Sequence, residues 1–430
     1  MRKFLTFALS LLLLTGCANI SSLLSTPEPV SPPQGVSPPQ GATVSTGTPI
    51  FIATSTPTAS PTVTPGGVRT LRLWLPPQFD PAAETPAGRI LQERLDEFVA
   101  RRPGLQIVVR VKAESMLDAL TATQAAAPSV MPDLLALSRA DLEAATARGL
   151  LHPLDGLSTL PDDPDWYPYA HQMSHIQNTA FGLPFAGNAL ILAGYANPLP
   201  SSWSELPEGT LFIFPAAEPQ AFLTLSLYLS AGGTLLDDQG LPSVDETILA
   251  KTLSLYLPPE DEAFLSPASV GYQSGDQAWK ALLERRGNLT VSWASNYLQN
   301  QTPTLSIAPL PGLETGHYTL ATGWNWALAG FNPANQPLSV ELAEFLADSR
   351  FLAEWNQAAG YLPTRPTALA SWSDANTKIM LAQTAETAHL LPGQELIAVT
   401  GPLFAEATLS VLNGEQLPAA AAQSIAEQLK

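Results

Sequence analysis

Cysteine is almost missing: the chain of 430 residues has one, Cys17. A lone thiol has no partner within the chain, which excludes a disulfide framework. Basic residues are scarce as well, with 20 Lys and Arg against 38 Asp and Glu and a formal net charge of −18. That balance argues against nucleic acid or anionic lipid headgroups as partners. Beyond the first residues no apolar stretch approaches the roughly 20 residues of a spanning helix, so the body of the chain is expected not to cross a membrane. Catalytic signatures are missing too: no G-x-S-x-G, no P-loop and no dinucleotide fingerprint occurs, and no cofactor is implied. His171 and His175 have i, i+4 spacing, but no Glu follows the first and no third ligand is evident, so no zinc site is expected. Asp162, Asp163 and Asp165 lack the loop pattern of an EF-hand.

What is present begins at the N-terminus. Arg2 and Lys3 precede an apolar run over residues 4–14, roughly 11 residues, which is short for a span but right for the h-region of a signal peptide. It ends in Leu14-Thr15-Gly16-Cys17, which resembles the lipobox of bacterial lipoproteins. The resemblance implies removal of residues 1–16 and a diacylglycerol on the Cys17 sulfur, anchoring the protein outside the cytoplasm. Residues 17–67 are dominated by Pro, Ser, Thr and Gly, and Val30-Ser31-Pro32-Pro33-Gln34-Gly35 repeats at once as Val36-Ser37-Pro38-Pro39-Gln40-Gly41. Such a composition cannot bury enough apolar surface to offset ordering entropy, and reads as a disordered tether of roughly 40 Å as a coil.

The body from Val68 onward is longer than one core usually supports, so two domains are expected. Leu71, Leu73 and Leu75 alternate as in a strand up to Pro76-Pro77; Leu91, Leu95 and Phe98 recur at helical spacing up to Pro103-Gly104; Leu105, Ile107, Val109 and Val111 return to period two. A helix is expected over 115–124, a buried strand over 134–137, strands over 211–214, 289–291 and 305–308, and one long helix over 340–358. Repeated strand–helix–strand units predict an α/β fold with a parallel sheet covered on both faces.

The order of these features is similar to the family 1 extracellular solute-binding proteins, the group that contains maltose- and other sugar-binding proteins. The similarity is carried by Phe98-Val99-Ala100-Arg101-Arg102-Pro103-Gly104, Met131-Pro132-Asp133-Leu134-Leu135, Arg148-Gly149-Leu150-Leu151-His152-Pro153-Leu154-Asp155, Phe181-Gly182-Leu183-Pro184-Phe185 and Ser201-Ser202-Trp203-Ser204-Glu205-Leu206. Ala231-Gly232-Gly233, Pro309-Leu310-Pro311 and Gly360-Tyr361-Leu362-Pro363-Thr364-Arg365 follow in the family's order. Thr179-Ala180 stands where the family usually has Asp-Gly, and Tyr195 is not followed by Asn. The resemblance implies a two-lobed periplasmic-binding-protein-like fold (class II) with a ligand cleft between the lobes. One lobe would comprise residues 68–183 and 324–362, the other 184–323 and 363–430. It further implies a non-enzymatic monomer that delivers a carbohydrate to the permease membrane subunits of an ABC importer. Related ferric-ion binders use adjacent tyrosines, and no Tyr-Tyr pair occurs here, which favours an organic ligand.

Sugars are gripped by flat aromatic faces and planar polar groups. Trp293 aligns with a segment where the family often stacks an aromatic on sugar. Trp324 and Trp326 in Gly323-Trp324-Asn325-Trp326 would share one strand face, with Asn325 on the other. Tyr361 lies beside an expected hinge crossing, and Trp74 ends the first strand. Among polar groups, Ser138 and Arg139 follow a strand end where the family places ligand contacts, and an Arg can donate paired hydrogen bonds; Gln220, with the aromatic Phe222, opens a helix near a position that contacts sugar in relatives, and Asn188 completes the set. Trp203, Trp355 and Asp133 are expected to be structural. Two other classes remain open at this point: a surface lipoprotein that senses or scaffolds without transport, and a two-carboxylate surface glycosidase.

Overall fold

The computed structural model describes residues 68–257, 265–300, 302, 304–314 and 316–430; the leader, Cys17 and the tether lie outside the described residues. Eleven strands occur among these: β1 Arg69–Leu75, β2 Leu105–Val111, β3 Leu134–Ser138, β4 His175–Ile176, β5 Thr179–Ala180, β6 Gly182–Gly194, β7 Phe212–Ile213, β8 Leu289–Trp293, β9 Ser306–Pro309, β10 Thr319–Leu328 and β11 Ala388–Leu390. β4 and β5 form a small hairpin, and the other nine make one sheet in the order β2-β1-β3-β10-β6-β8-β7, with β11 on β10 and β9 on β6.

The sheet is mixed rather than all parallel. β1 runs parallel to β2 and β3, and β7 parallel to β8, as the repeating units predict. Between these groups lie the two longest partners, β6 and β10, antiparallel to each other and to β3 and β8. β6 is buried along nearly all its 13 residues, about 43 Å of strand, so its first part serves one half of the sheet and its last part the other. The half with β1–β3 is covered on both faces. Leu71, Leu73 and Leu75 join a core with Leu91, Leu95 and Phe98 of helix Pro86–Ala100, while Trp74, Leu135 and Leu137 face Met116 and Leu120 of helix Met116–Ala126. The half with β7–β9 has its own core, including Phe212, Phe214, Leu227 and Phe404.

Three strand segments meet at the crossing. Gly187 of β6 pairs with Gly323 of β10, and on its other side exchanges hydrogen bonds with Leu362 (Gly187 N to Leu362 O 2.7 Å, Leu362 N to Gly187 O 2.9 Å). Only glycine fits there: a Cβ on Gly187 would lie 2.0 Å from the Tyr169 hydroxyl, and one on Gly323 2.2 Å from the Ala186 carbonyl oxygen.

Two further expectations are corrected. The long helix over 340–358 is two helices, Gln336–Phe345 and Ser349–Ala359, because the Asp348 carboxylate caps a new N-terminus by accepting from Phe351 N. The one described helix long and apolar enough to cross a membrane, Gln394–Leu412, was not anticipated. It contains Pro402 and buries Ile397, Phe404, Ala407 and Val411 in the core of the β7–β9 half.

Candidate functional site

Strand ends place the candidate side chains. The carboxyl end of β1 runs into a short 3-10 turn, Pro77–Phe79, and drops the Phe79 ring among four others. It meets Trp324 edge-on at 5.0 Å, Tyr361 at 5.6 Å, Phe185 at 5.4 Å and Trp355 at 5.3 Å. Phe79, Phe185 and Trp355 are buried, whereas Trp324 and Tyr361 are half-buried. Tyr361 is held by the end of helix Ser349–Ala359. Gly360 takes the left-handed conformation (φ 71°) and caps the helix, so the following residue turns back and stacks parallel to Trp355 at 6.4 Å. Burial raises the Tyr361 phenol above its ordinary pKa, so it stays neutral and can donate a hydrogen bond.

A second aromatic pair lies across the crossing. Trp293 ends β8 and meets Phe222, the first residue of helix Phe222–Ser230, edge-on at 5.4 Å; both are half-buried. Helix Gly275–Leu283 begins against the same indole, where a Cβ on Gly275 would lie 3.7 Å from Trp293. Glu218 ties these elements together. Its buried carboxylate accepts from the backbone N–H groups of Phe222 and Gly275, while desolvation is the larger effect and pushes its pKa up to about 7. Asn188 on β6 fixes the next helix: its Oδ1 accepts from Ser295 N at 3.1 Å and its Nδ2 donates to Ser295 Oγ at 2.9 Å. Trp324 sits opposite Ala186 and Trp293 opposite Leu190. The two aromatic pairs thus lie four residue steps apart along β6, about 13 Å of strand.

Several expected ligand contacts are used otherwise. Trp74 is 1% exposed on the helix-covered face of β1, with the Lys112 ammonium 4.1 Å from its ring centre. Trp326 does share a face with Trp324, but it is 2% exposed and stacks on Phe185 at 4.2 Å. Asn325 is fully buried, packed against Gly182. Ser138 caps helix Arg139–Ala147, accepting from Asp141 N and donating to its carboxylate. Arg139 is a structural tie: Nε donates to Glu143 at 2.8 Å, and Nη1 to the carbonyls of Gln172, Met173 and His175 at 3.1, 2.8 and 2.8 Å. In this structure these five side chains serve packing or local hydrogen bonds. Gln220 is half-buried with its backbone against helix Gln394–Leu412 at Gly401. Trp203, Trp355 and Asp133 are structural, as expected: Trp203 donates to Pro311 O, and Asp133 accepts from Arg72 N and Asn335 Nδ2. Phe79 and Glu218 are the residues that sequence reading missed. The signal for each was its place, a few residues beyond β1 and β7 on the loops that bear ligand contacts in open α/β sheets.

A cavity of about 610 Å³ lies elsewhere, between helix Gln394–Leu412 and helix Pro418–Gln428, lined by Ala405, Glu406, Ser410, Ser424 and Gln428 among others. It has no aromatic face and is not the place where a sugar ring would be gripped.

A sheet split into two cored halves, threaded by two long antiparallel strands and crossed a third time at Leu362, has the architecture of the two-lobed periplasmic-binding-protein fold. Solved structures bear this out. The sugar-binding protein MalE from the phytopathogen Xanthomonas citri superposes with a TM-score of 0.68 at 19% identity, over 84% of this chain and 96% of that one. A cyclo/maltodextrin-binding protein in complex with maltotetraose gives 0.67 at 16% identity, covering 85% and 98%. The GacH receptor of Streptomyces glaucescens, solved unliganded and with acarbose, gives 0.60 at 18%, covering 84% and 97%. At these identities the likeness establishes the fold. No protein-family model and no curated protein sequence matches the chain.

Proposed function

We propose that this protein is an extracytoplasmic solute-binding protein of an ABC importer that holds a sugar or oligosaccharide between its lobes and has no catalytic role. The observation that carries the reading is the pair of half-exposed aromatic surfaces, Trp324 with Tyr361 and Trp293 with Phe222, set on either side of the strand crossing of a MalE-type fold. Indole and phenol faces cover the apolar sides of pyranose rings, and closure of two lobes about the crossing would exclude water from them. The ligand-contacting set proposed is Trp324, Tyr361, Trp293 and Phe222, with Asn188 and Gln220 at its polar margin. The lobes are taken as residues 68–183 with 324–362, and 184–323 with 363–430. Cys17 is the proposed lipid attachment, with the Pro-rich segment as its tether.

Titration calorimetry against mono- and oligosaccharides, including maltodextrins, tests the ligand class. Saturable binding that weakens in Trp324→Ala and Trp293→Ala supports it, and no binding to any saccharide refutes it. Cys17→Ser tests the anchor separately: the variant should be released from membranes or accumulate as precursor, and unchanged membrane retention with unchanged mobility removes the lipoprotein reading.

A further inference from the structure

The two histidines that lacked a third ligand in the sequence acquire one in the fold. The turn Leu160–Asp162 brings the Asp162 carboxylate over the end of helix Pro168–Ser174. Asp162 Oδ1 lies 3.6 Å from His171 Nε2 and 3.4 Å from His175 Nε2, and one ligand atom from each residue falls within 4.8 Å of the other two. The imidazoles are tilted against each other, with centroids 4.5 Å apart and planes at 32°. These N···O separations exceed the 2.7–3.2 Å of a good hydrogen bond. The His175 separation equals the edge of a tetrahedron whose corners are 2.0–2.1 Å from its centre, about 3.3–3.4 Å, and the His171 separation lies about 0.2–0.3 Å beyond it.

The surroundings set the tautomer. His175 Nδ1 is 2.9 Å from the His171 carbonyl oxygen and 2.7 Å from Ser174 Oγ. A proton on Nδ1 donated to that carbonyl leaves Nε2, the nitrogen nearer Asp162, with its lone pair free, the arrangement in which a ligating imidazole is held by its other nitrogen. The Arg139 guanidinium donates to the backbone of His175 and is neutralised by Glu143 at 2.8 Å. Arg365 is engaged with Asp163 and Asp165. Asp162 and His171 are open to solvent, with side chains 77% and 47% exposed, whereas His175 is 16% exposed. A bound ion would therefore keep a solvent-facing position for water.

We propose that Asp162, His171 and His175 form a binding site for a first-row divalent transition metal, with zinc the best fit to two imidazoles and one carboxylate in tetrahedral array. The ion joins the Leu160–Asp162 turn to the end of helix Pro168–Ser174, which packs on β6 and β10 beside the crossing. Calcium and magnesium, which require all-oxygen shells, are excluded by the donor set.

The test uses the full chain without a histidine tag, stripped by chelator and titrated with zinc against a chromogenic indicator. One equivalent should bind, insensitive to millimolar calcium or magnesium, and raise the melting temperature. His171→Ala and Asp162→Asn should each weaken binding at least about tenfold, with melting in chelator unchanged because both side chains are exposed. Absence of stoichiometric zinc binding overturns the proposal. So does binding of unchanged affinity in the His171→Ala/Asp162→Asn double variant, which would place the ion on another of the five histidines.

Discussion

Replacing Gly187 by Ala adds one methyl group where three strand segments meet. The new carbon would lie 2.0 Å from Tyr169 Oη, 2.9 Å from Leu362 O and 3.1 Å from Tyr169 Cζ. Tyr169 is fully buried, so its ring has no room to retreat. Leu362 is fixed by the two hydrogen bonds it exchanges with Gly187 itself. Overpacking of this kind costs about 1–3 kcal/mol, and strain on those two bonds adds up to about 1 kcal/mol each. A loss of about 2–4 kcal/mol is expected, which at typical urea m-values moves the unfolding midpoint by on the order of 1 M. A second substitution isolates the cause. The Tyr169 hydroxyl is buried without a hydrogen-bond partner among the described residues, so Tyr169→Phe alone should be near neutral. It also removes the atom nearest the new methyl, so Gly187→Ala in the Tyr169→Phe background should recover at least about 1 kcal/mol, a coupling that only neighbouring sites show. Urea unfolding of the four proteins measures it. A Gly187→Ala variant within about 0.5 kcal/mol of the parent, or an equal loss in both backgrounds, would refute the packing argument.

The two neighbouring tryptophans should separate cleanly. Trp326→Ala opens a cavity beside Phe185 and should cost about 3–5 kcal/mol of stability, whereas half-exposed Trp324→Ala should cost less stability and about 1–3 kcal/mol of saccharide affinity. Calorimetry and melting on both variants check this, and the reverse pattern would exchange their roles. Glu218 predicts a pH dependence. Its folded pKa of about 7 exceeds the ordinary 4.5, so between these values the folded state holds a proton that the unfolded state has lost. Stability therefore falls as pH rises from about 4.5 to about 7, by on the order of 3 kcal/mol at most, and is flat beyond that range. Glu218→Gln should remove this component, seen as a smaller difference in urea midpoint between pH 5 and pH 8; an unchanged difference would mean that Glu218 does not titrate there.

Local physics made much of the chain legible. Leu71, Leu73 and Leu75 alternate because successive strand side chains point to opposite faces, and Leu91, Leu95 and Phe98 recur because a helix turns every 3.6 residues; all six are buried as that periodicity requires. Trp324 and Tyr361 were singled out by residue type and by their place on an extended cluster or beside an expected crossing, Trp293 and Phe222 by the family resemblance. Ser138 and Arg139 were singled out by a strand end and the same resemblance, and in this structure they cap and tie local backbone. A hydroxyl or guanidinium at a helix start can equally cap and tie local backbone, and sequence does not tell these uses apart.

Three features arose only in the tertiary structure, each because distant segments had to meet. β6 and β10 were not among the strands expected from periodicity, because both are buried along most of their length and show little alternation, and their antiparallel course between two parallel groups depends on which neighbours they pair with, which leaves no local period. Trp324 and Trp326 share a face, as strand alternation dictates, yet one is half-exposed and the other sealed, because Phe185 lies over Trp326 and leaves part of Trp324 open. Asp162 stands nine residues before His171, too far for any helical spacing to join them, and only the turn at Leu160–Asp162 folds it back over the histidine pair. Periodicity and capping are properties of neighbouring residues and are written in the sequence, whereas strand order, which half of an aromatic pair stays open, and the third corner of a three-residue cluster follow from packing between distant segments.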